Sequence, residues 1–133
     1  MMMRAALKPD STFYRAINIG FPNEYDKSKG YSGSYLMIHG GCQSTGCYAM
    51  TDNSMDEIFR YVEAALINRQ NKIDISIYPF RMTVRNMQLY HFSGNYAFWR
   101  QLQSGYNRFA ARQTPPVVSV IHGQYITERQ ENL

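Results

Sequence analysis

Two cysteines and a histidine fall within nine residues of MIHGGCQSTGCYAMTD, running from Met37 to Asp52. The chain has no other cysteine, and this stretch also holds three of its nine glycines. Metal binding, a disulfide, quiet burial and catalysis each predict something different for His39, Cys42 and Cys47. Zinc asks for four ligands, usually as two close pairs, and His39-x2-Cys42-x4-Cys47 offers three. His91 and His122 sit in no paired motif, and no metal is expected. A Cys42–Cys47 disulfide needs the glycine-rich turn to bring the Cα atoms within about 7 Å. Small buried thiols in a turn are the bland alternative.

Catalysis accounts for more of these residues together. A thiol works as a nucleophile when ionised, so it needs a base or a positive field nearby. His39 stands eight residues before Cys47, with Gly40 and Gly41 between them to let the chain turn back. Gly46, directly before Cys47, lets the backbone approach a bound carbonyl closely. The amides of Gly46 and Cys47 are then candidates for the donors facing a developing oxyanion. Asp52 and Ser54 lie just beyond, where a helix is expected to begin.

The elements that must position these groups read as α+β. Phe13 to Gly20, FYRAINIG, is a predicted strand, and Ser34 to Gly40, SYLMIHG, a second. The alternation of that second strand puts Tyr35, Met37 and His39 on one face and Leu36 and Ile38 on the other. Between them Phe21 to Gly33 is rich in Pro, Asn, Asp, Ser and Gly, and reads as a long loop whose Tyr25 and Asp26 are candidates for a substrate wall. Ser54 and Glu57 match a capping box, followed by Ile58, Tyr61, Val62, Ala65 and Leu66 at helical spacing. KIDISIYPF alternates Ile73, Ile75 and Ile77 with polar residues, a half-buried strand ended by Pro79. Thr83 is positioned to cap a short helix to about His91. A longer helix is expected over 95–112, and VVSVIHGQYI forms a last strand or hairpin around Gly123.

Bulk properties bound the rest. The 133 residues suit one domain over 1–133, and 44% apolar with 14% aromatic content argues against disorder. No stretch reaches the roughly 18–20 apolar residues of a spanning helix, and the opening MMMRAALKPD lacks the apolar run of a signal peptide. The net charge of +4 comes from scattered Lys and Arg, which solvated helix faces explain better than a nucleic-acid groove.

The turn H-G-(x)n-S-x-G-C resembles the signature of the L,D-transpeptidase (YkuD-type) catalytic domain. LKPDS, NIGFPNEYD, MIHGGCQSTGCYAMTD, VEAAL, YPFRMT and FWRQLQSGYNRF resemble its YafK branch over nearly the whole chain. The resemblance implies a mixed β-sheet domain with flanking helices. It makes Cys47 the nucleophile and His39 the general base, with Ser44 and Gly46 as the motif's hydroxyl and glycine. It implies no cofactor, a place in the periplasm or cell envelope, and peptidoglycan stem peptides as substrate. The reaction would be acyl transfer through a thioester, with water or a lysine of a wall-anchored lipoprotein as further partners. Three departures stand out. Thr45 occupies the place where many members have a second histidine, and Met50 stands near where many carry an arginine after the nucleophile. Carboxylate recognition then falls to Arg81. The strands that precede the LKPDS segment in the family are absent, which predicts an unpaired sheet edge.

Overall fold

The computed structural model describes residues 2–3, 6–11 and 14–128 of the chain. Phe13, in the first predicted strand, lies outside them. The backbone divides into two compact units, Met1–Ile75 and Ser76–Leu133.

The first unit carries a four-stranded sheet. β2 (Ala6–Ser11) and β3 (Tyr14–Asn18) form an antiparallel hairpin, β4 (Met37–His39) adds antiparallel to β3, and β5 (Tyr48–Ala49) adds parallel to β4. A separate two-residue ladder joins β1 (Met2–Met3) to β6 (Ile73–Asp74). Register explains where the core sits. Leu7 pairs with Ile17 and Ile17 with Ile38, so three apolar side chains line one face. The helix α2 (Asp52–Ile67) covers that face with Met55 and Phe59, and Ile58 and Val62 pack beside them. Burying such a cluster contributes on the order of 2 kcal/mol per large side chain. Residues on the opposite face follow by alternation, and there Ala16 pairs with His39 and His39 with Ala49.

Several sequence expectations are corrected here. The loop over 21–33 contains a short helix, α1 (Glu24–Ser28), started by a capping box. The Asn23 side chain accepts from the Asp26 amide at 2.9 Å, and the Asn23 amide donates to Asp26 Oδ2 at 2.9 Å. The pair Ser54–Glu57 does not cap α2, because the helix begins at Asp52 with Thr51 at its N-cap. The Thr51 carbonyl already accepts from the Met55 amide at 3.0 Å, which places Ser54 inside the first turn. The buried stripe of α2 runs Met55, Phe59 and Val62, spaced i, i+4, i+7. Tyr61, expected on that stripe, is 71% exposed. The strand predicted from Ser34 begins only at Met37, since Tyr35 takes φ +61, outside the extended region. The alternation of KIDISIYPF yields two strand residues, because the β1 ladder that registers it is two residues long.

The second unit holds α3 (Val84–Leu89), α4 (Tyr96–Arg112) and the hairpin of β7 (Val118–Ile121) and β8 (Gln124–Thr127). Thr83 caps α3 as expected, accepting from the Asn86 amide at 3.2 Å. Half-buried Phe98, Leu102 and Tyr106 share one side of α4, as predicted, while Phe109 is more exposed. Buried Gly105 lies on α4 where an added Cβ would meet Pro116, Thr127 and Tyr78 at 3.5–3.6 Å. Phe80 and Tyr90 each meet Trp99 edge to face, with Phe80 and Trp99 centroids 5.1 Å apart, and tilt at 41° to one another. The mixture of helices and sheet is α+β.

Candidate active site

His39 is the last residue of β4, and its side chain is 3% exposed. The sheet makes room for the ring by placing alanine on both sides of it, Ala16 on β3 and Ala49 on β5. Its Nδ1–H donates to the Gly40 carbonyl oxygen at 2.5 Å. A carbonyl oxygen only accepts, so the proton of the neutral ring is on Nδ1 and Nε2 is the basic nitrogen. The return after His39 is tied on several sides. The Gly40 amide donates to the Arg15 carbonyl at 3.1 Å, and the His39 carbonyl accepts from the Met50 amide at 2.9 Å. Gly41 takes φ +73, a conformation open to glycine, and receives the Thr51 amide on its carbonyl at 2.8 Å. Its own amide donates to Asp52 Oδ1 at 2.8 Å.

Cys47 directly precedes β5. The parallel register pairs Ile38 with Tyr48 and His39 with Ala49, so Cys47 lies two residues back from the partner of His39. Strand spacing and rise put the Cα atoms of His39 and Cys47 about 8 Å apart, on neighbouring strands. Gly46 takes φ +90 with open space around its Cα, which bends the chain just before the thiol. Ser44 Oγ donates to the Cys47 carbonyl at 2.7 Å and closes the turn from inside. The Cys47 thiol is half-buried and donates to the Tyr35 carbonyl at 3.8 Å. Only a protonated sulfur makes that contact; ionisation turns it into a repulsion between sulfur and carbonyl oxygen.

Cys42 is an exposed free thiol in the same turn, and Cys47 is also free. Among the described residues no three His, Cys, Asp or Glu side chains converge in a way that would hold a metal ion. Thr45 is exposed at the rim of the turn. Tyr25 is packed into the fold at 8% exposure, with the Lys29 ammonium 5.3 Å from its ring centroid. Burial raises its hydroxyl pKa above the ordinary value. Arg81 belongs to the second unit, at an exposed position where its carbonyl accepts from the Asn86 side chain at 2.7 Å. The sequence reading missed Tyr35, whose importance lies in its backbone oxygen rather than its side chain. It noted the place of Asp52 but not its bond to Gly41; an acidic residue opening a helix soon after a Gly-Gly pair was the available cue.

No protein-family model matches the chain. Two curated relatives do, from Escherichia coli strain K12 and from Escherichia coli O157:H7, each carrying the name "Putative L,D-transpeptidase YafK". Each is 52% identical over 128 residues, which is 96% of this chain and 52% of the relative. The chain belongs to the YafK-like branch of the L,D-transpeptidase family. It spans about half the length of the relatives it matches. Among the described residues of this YafK-like chain, no helix is long and apolar enough to cross a membrane.

Proposed function

We propose that this chain carries the acyl-transfer centre of a cysteine-dependent L,D-transpeptidase acting on diamino-acid-containing peptidoglycan stem peptides. The observation that carries the reading is the parallel β4–β5 register. It puts Cys47 two residues back from Ala49, the partner of His39, and the Nδ1–H bond to the Gly40 carbonyl supports Nε2 as the base.

The steps follow from these groups. His39 Nε2 takes the thiol proton, and the sulfur leaves the Tyr35 carbonyl as it ionises. Sulfur attacks the carbonyl of the third stem residue, forming a C–S bond, and the oxyanion faces the amides of Gly46 and Cys47. The C–N bond to the terminal D-alanine breaks, and the imidazolium returns its proton to the departing amine. An acceptor amine from a second stem, or from a wall-anchored lipoprotein, then attacks the thioester and frees the thiol. Water in place of the amine makes the same centre a hydrolase. The exposure of Ser44, Thr45 and Gly46 around the thiol favours access by water, which supports this second outcome. Thr45 and Tyr25 are proposed contributors to substrate binding. The substrate places the reaction in the periplasm, at the cell wall, and the chemistry requires no cofactor.

Incubation with disaccharide-tetrapeptide tests the proposal. The expected result is release of D-alanine and an acyl adduct in the intact mass that maps to Cys47. Absence of both, with equal iodoacetamide reactivity of Cys47 in the wild type and in His39→Ala, would overturn the enzyme reading in favour of a wall-binding relative without turnover.

A further inference from the structure

The Gly40 carbonyl that holds His39 and the Gly41 amide that meets Asp52 belong to one peptide unit. Peptide planarity fixes the two groups pointing in opposite directions from a rigid plate. The hydrogen bonds therefore run in line: His39 Nδ1–H to Gly40 O at 2.5 Å, then Gly41 N–H to Asp52 Oδ1 at 2.8 Å. We propose that Asp52 is a positioning residue that acts on the His39 imidazole through the Gly40–Gly41 peptide, doing at one remove what a carboxylate does directly in serine-hydrolase triads.

Three further features support this assignment. The same peptide neighbourhood is pinned from the other side, since the Thr51 amide donates to the Gly41 carbonyl at 2.8 Å. Rotation of the plate would break the bond to Asp52 as well as the bond to the imidazole. Thr51 itself takes φ +63 and ψ 160, a region that costs a β-branched residue strain and is almost reserved for glycine. That conformation hands the chain from Met50, bonded to His39, to Asp52, bonded to Gly41, within two residues. Finally, an anion accepting from an amide strengthens the acceptor character of the carbonyl on the same plate, because linked hydrogen bonds polarise one another. Asp52 is exposed to solvent, which screens its charge, so orientation outweighs polarisation.

The proposal rests on the reading of His39 as the base, and its test separates the two. Long-range proton–nitrogen NMR spectra of the full chain report the imidazole tautomer without any turnover. The wild type should show His39 as the Nδ1–H tautomer. Asp52→Ala should give mixed tautomers at His39, with kcat on disaccharide-tetrapeptide reduced about 10- to 100-fold and KM within about twofold. Asp52→Asn keeps an acceptor oxygen and should preserve the tautomer, with kcat within about threefold. An Asp52 that merely holds the helix start would lower the melting temperature in Asp52→Ala while His39 keeps its tautomer and kcat, and that result overturns the proposal. Where Asp52→Ala does not fold, Asp52→Asn decides: an upfield move of the Nδ1–H resonance supports the relay, and an unmoved resonance sinks it. A tautomer change without turnover in the wild type would retain the relay and reject the enzyme reading. Turnover with an unchanged tautomer in Asp52→Ala would do the reverse.

Discussion

The tripeptide Ile-His-Gly occurs twice, as Ile38-His39-Gly40 and as Ile121-His122-Gly123, and the two copies fold differently. In the first, His39 closes a strand in extended conformation, and the positive φ waits until Gly41. In the second, His122 and Gly123 take φ +49 and +68, the two left-handed residues of a two-residue hairpin between β7 and β8. One imidazole is buried and anchored, while the other stands exposed on a turn. The neighbours decide which. After Gly40 the chain must run on to a parallel partner, β5, so the return is wide and supplies carbonyls and amides for fixing a ring. After Gly123 it doubles straight back on its own strand, and the turn leaves His122 exposed.

The largest effect that would break this contrast concerns turnover. His39→Ala and Cys47→Ala are expected to abolish D-alanine release, by at least the roughly 10²–10⁴-fold that a general base supplies, while His122→Ala and Cys42→Ala retain most of it. Steady-state assays on disaccharide-tetrapeptide check all four; loss in Cys42→Ala with retention in Cys47→Ala would reverse the assignment.

Next come the glycines that make the two turns. Gly41→Ala meets no neighbouring atom, so its cost is the left-handed backbone alone, about 1–2 kcal/mol. Gly123→Ala should lose a comparable amount from the same cause. Denaturant midpoints would fall together, but kcat should drop only in Gly41→Ala.

A smaller effect separates the two N-cap threonines. Thr83→Ala removes a side-chain acceptor from the Asn86 amide and should cost about 1 kcal/mol. Thr51 makes no side-chain cap bond and is strained, so Thr51→Gly should be neutral or stabilising by up to about 1 kcal/mol in the same urea titration.

The smallest effect is alkaline. The Tyr14 hydroxyl donates to Asp56 at 2.8 Å, and that bond leads the causes that raise its pKa above 10.0. Below pH 10 the phenol is neutral in folded and unfolded chains, and the contribution of Tyr14 is fully present. As pH climbs past 10 the unfolded phenol ionises first, and the contribution is lost by the time the folded value is reached. The difference in urea midpoint between wild type and Tyr14→Phe should therefore shrink above pH 10 and stay flat below it.

Much of the frame was legible in the sequence, for identifiable reasons. Long periodic segments such as α4, and short signals with a local mechanism such as Thr83 or the His122-Gly123 turn, depend on few distant contacts. What failed depended on partners elsewhere in the chain. Ser54 and Glu57 have the right types for a capping box, but the Gly41–Asp52 and Thr51–Met55 bonds start the helix three residues earlier. The strand at Ile73 stops where its partner stops. Helix α1 hid in a loop because Asn and Asp, read as turn formers, were also its capping pair. At the candidate site Cys47, His39 and Gly46 stood out by type and spacing, and Ser44 came from the family resemblance. The backbone oxygens of Tyr35 and Gly40 were not, because a carbonyl leaves no letter in a sequence.

The alanines flanking His39 carry one more implication. A valine or leucine at position 16 or 49 would satisfy the hydrophobicity of a sheet interior and raise strand propensity. It would also need the volume the imidazole now fills, so a change scored as conservative would evict the ring while the sheet stood intact. Such a variant would melt like its parent and lack the base that the proposed chemistry needs.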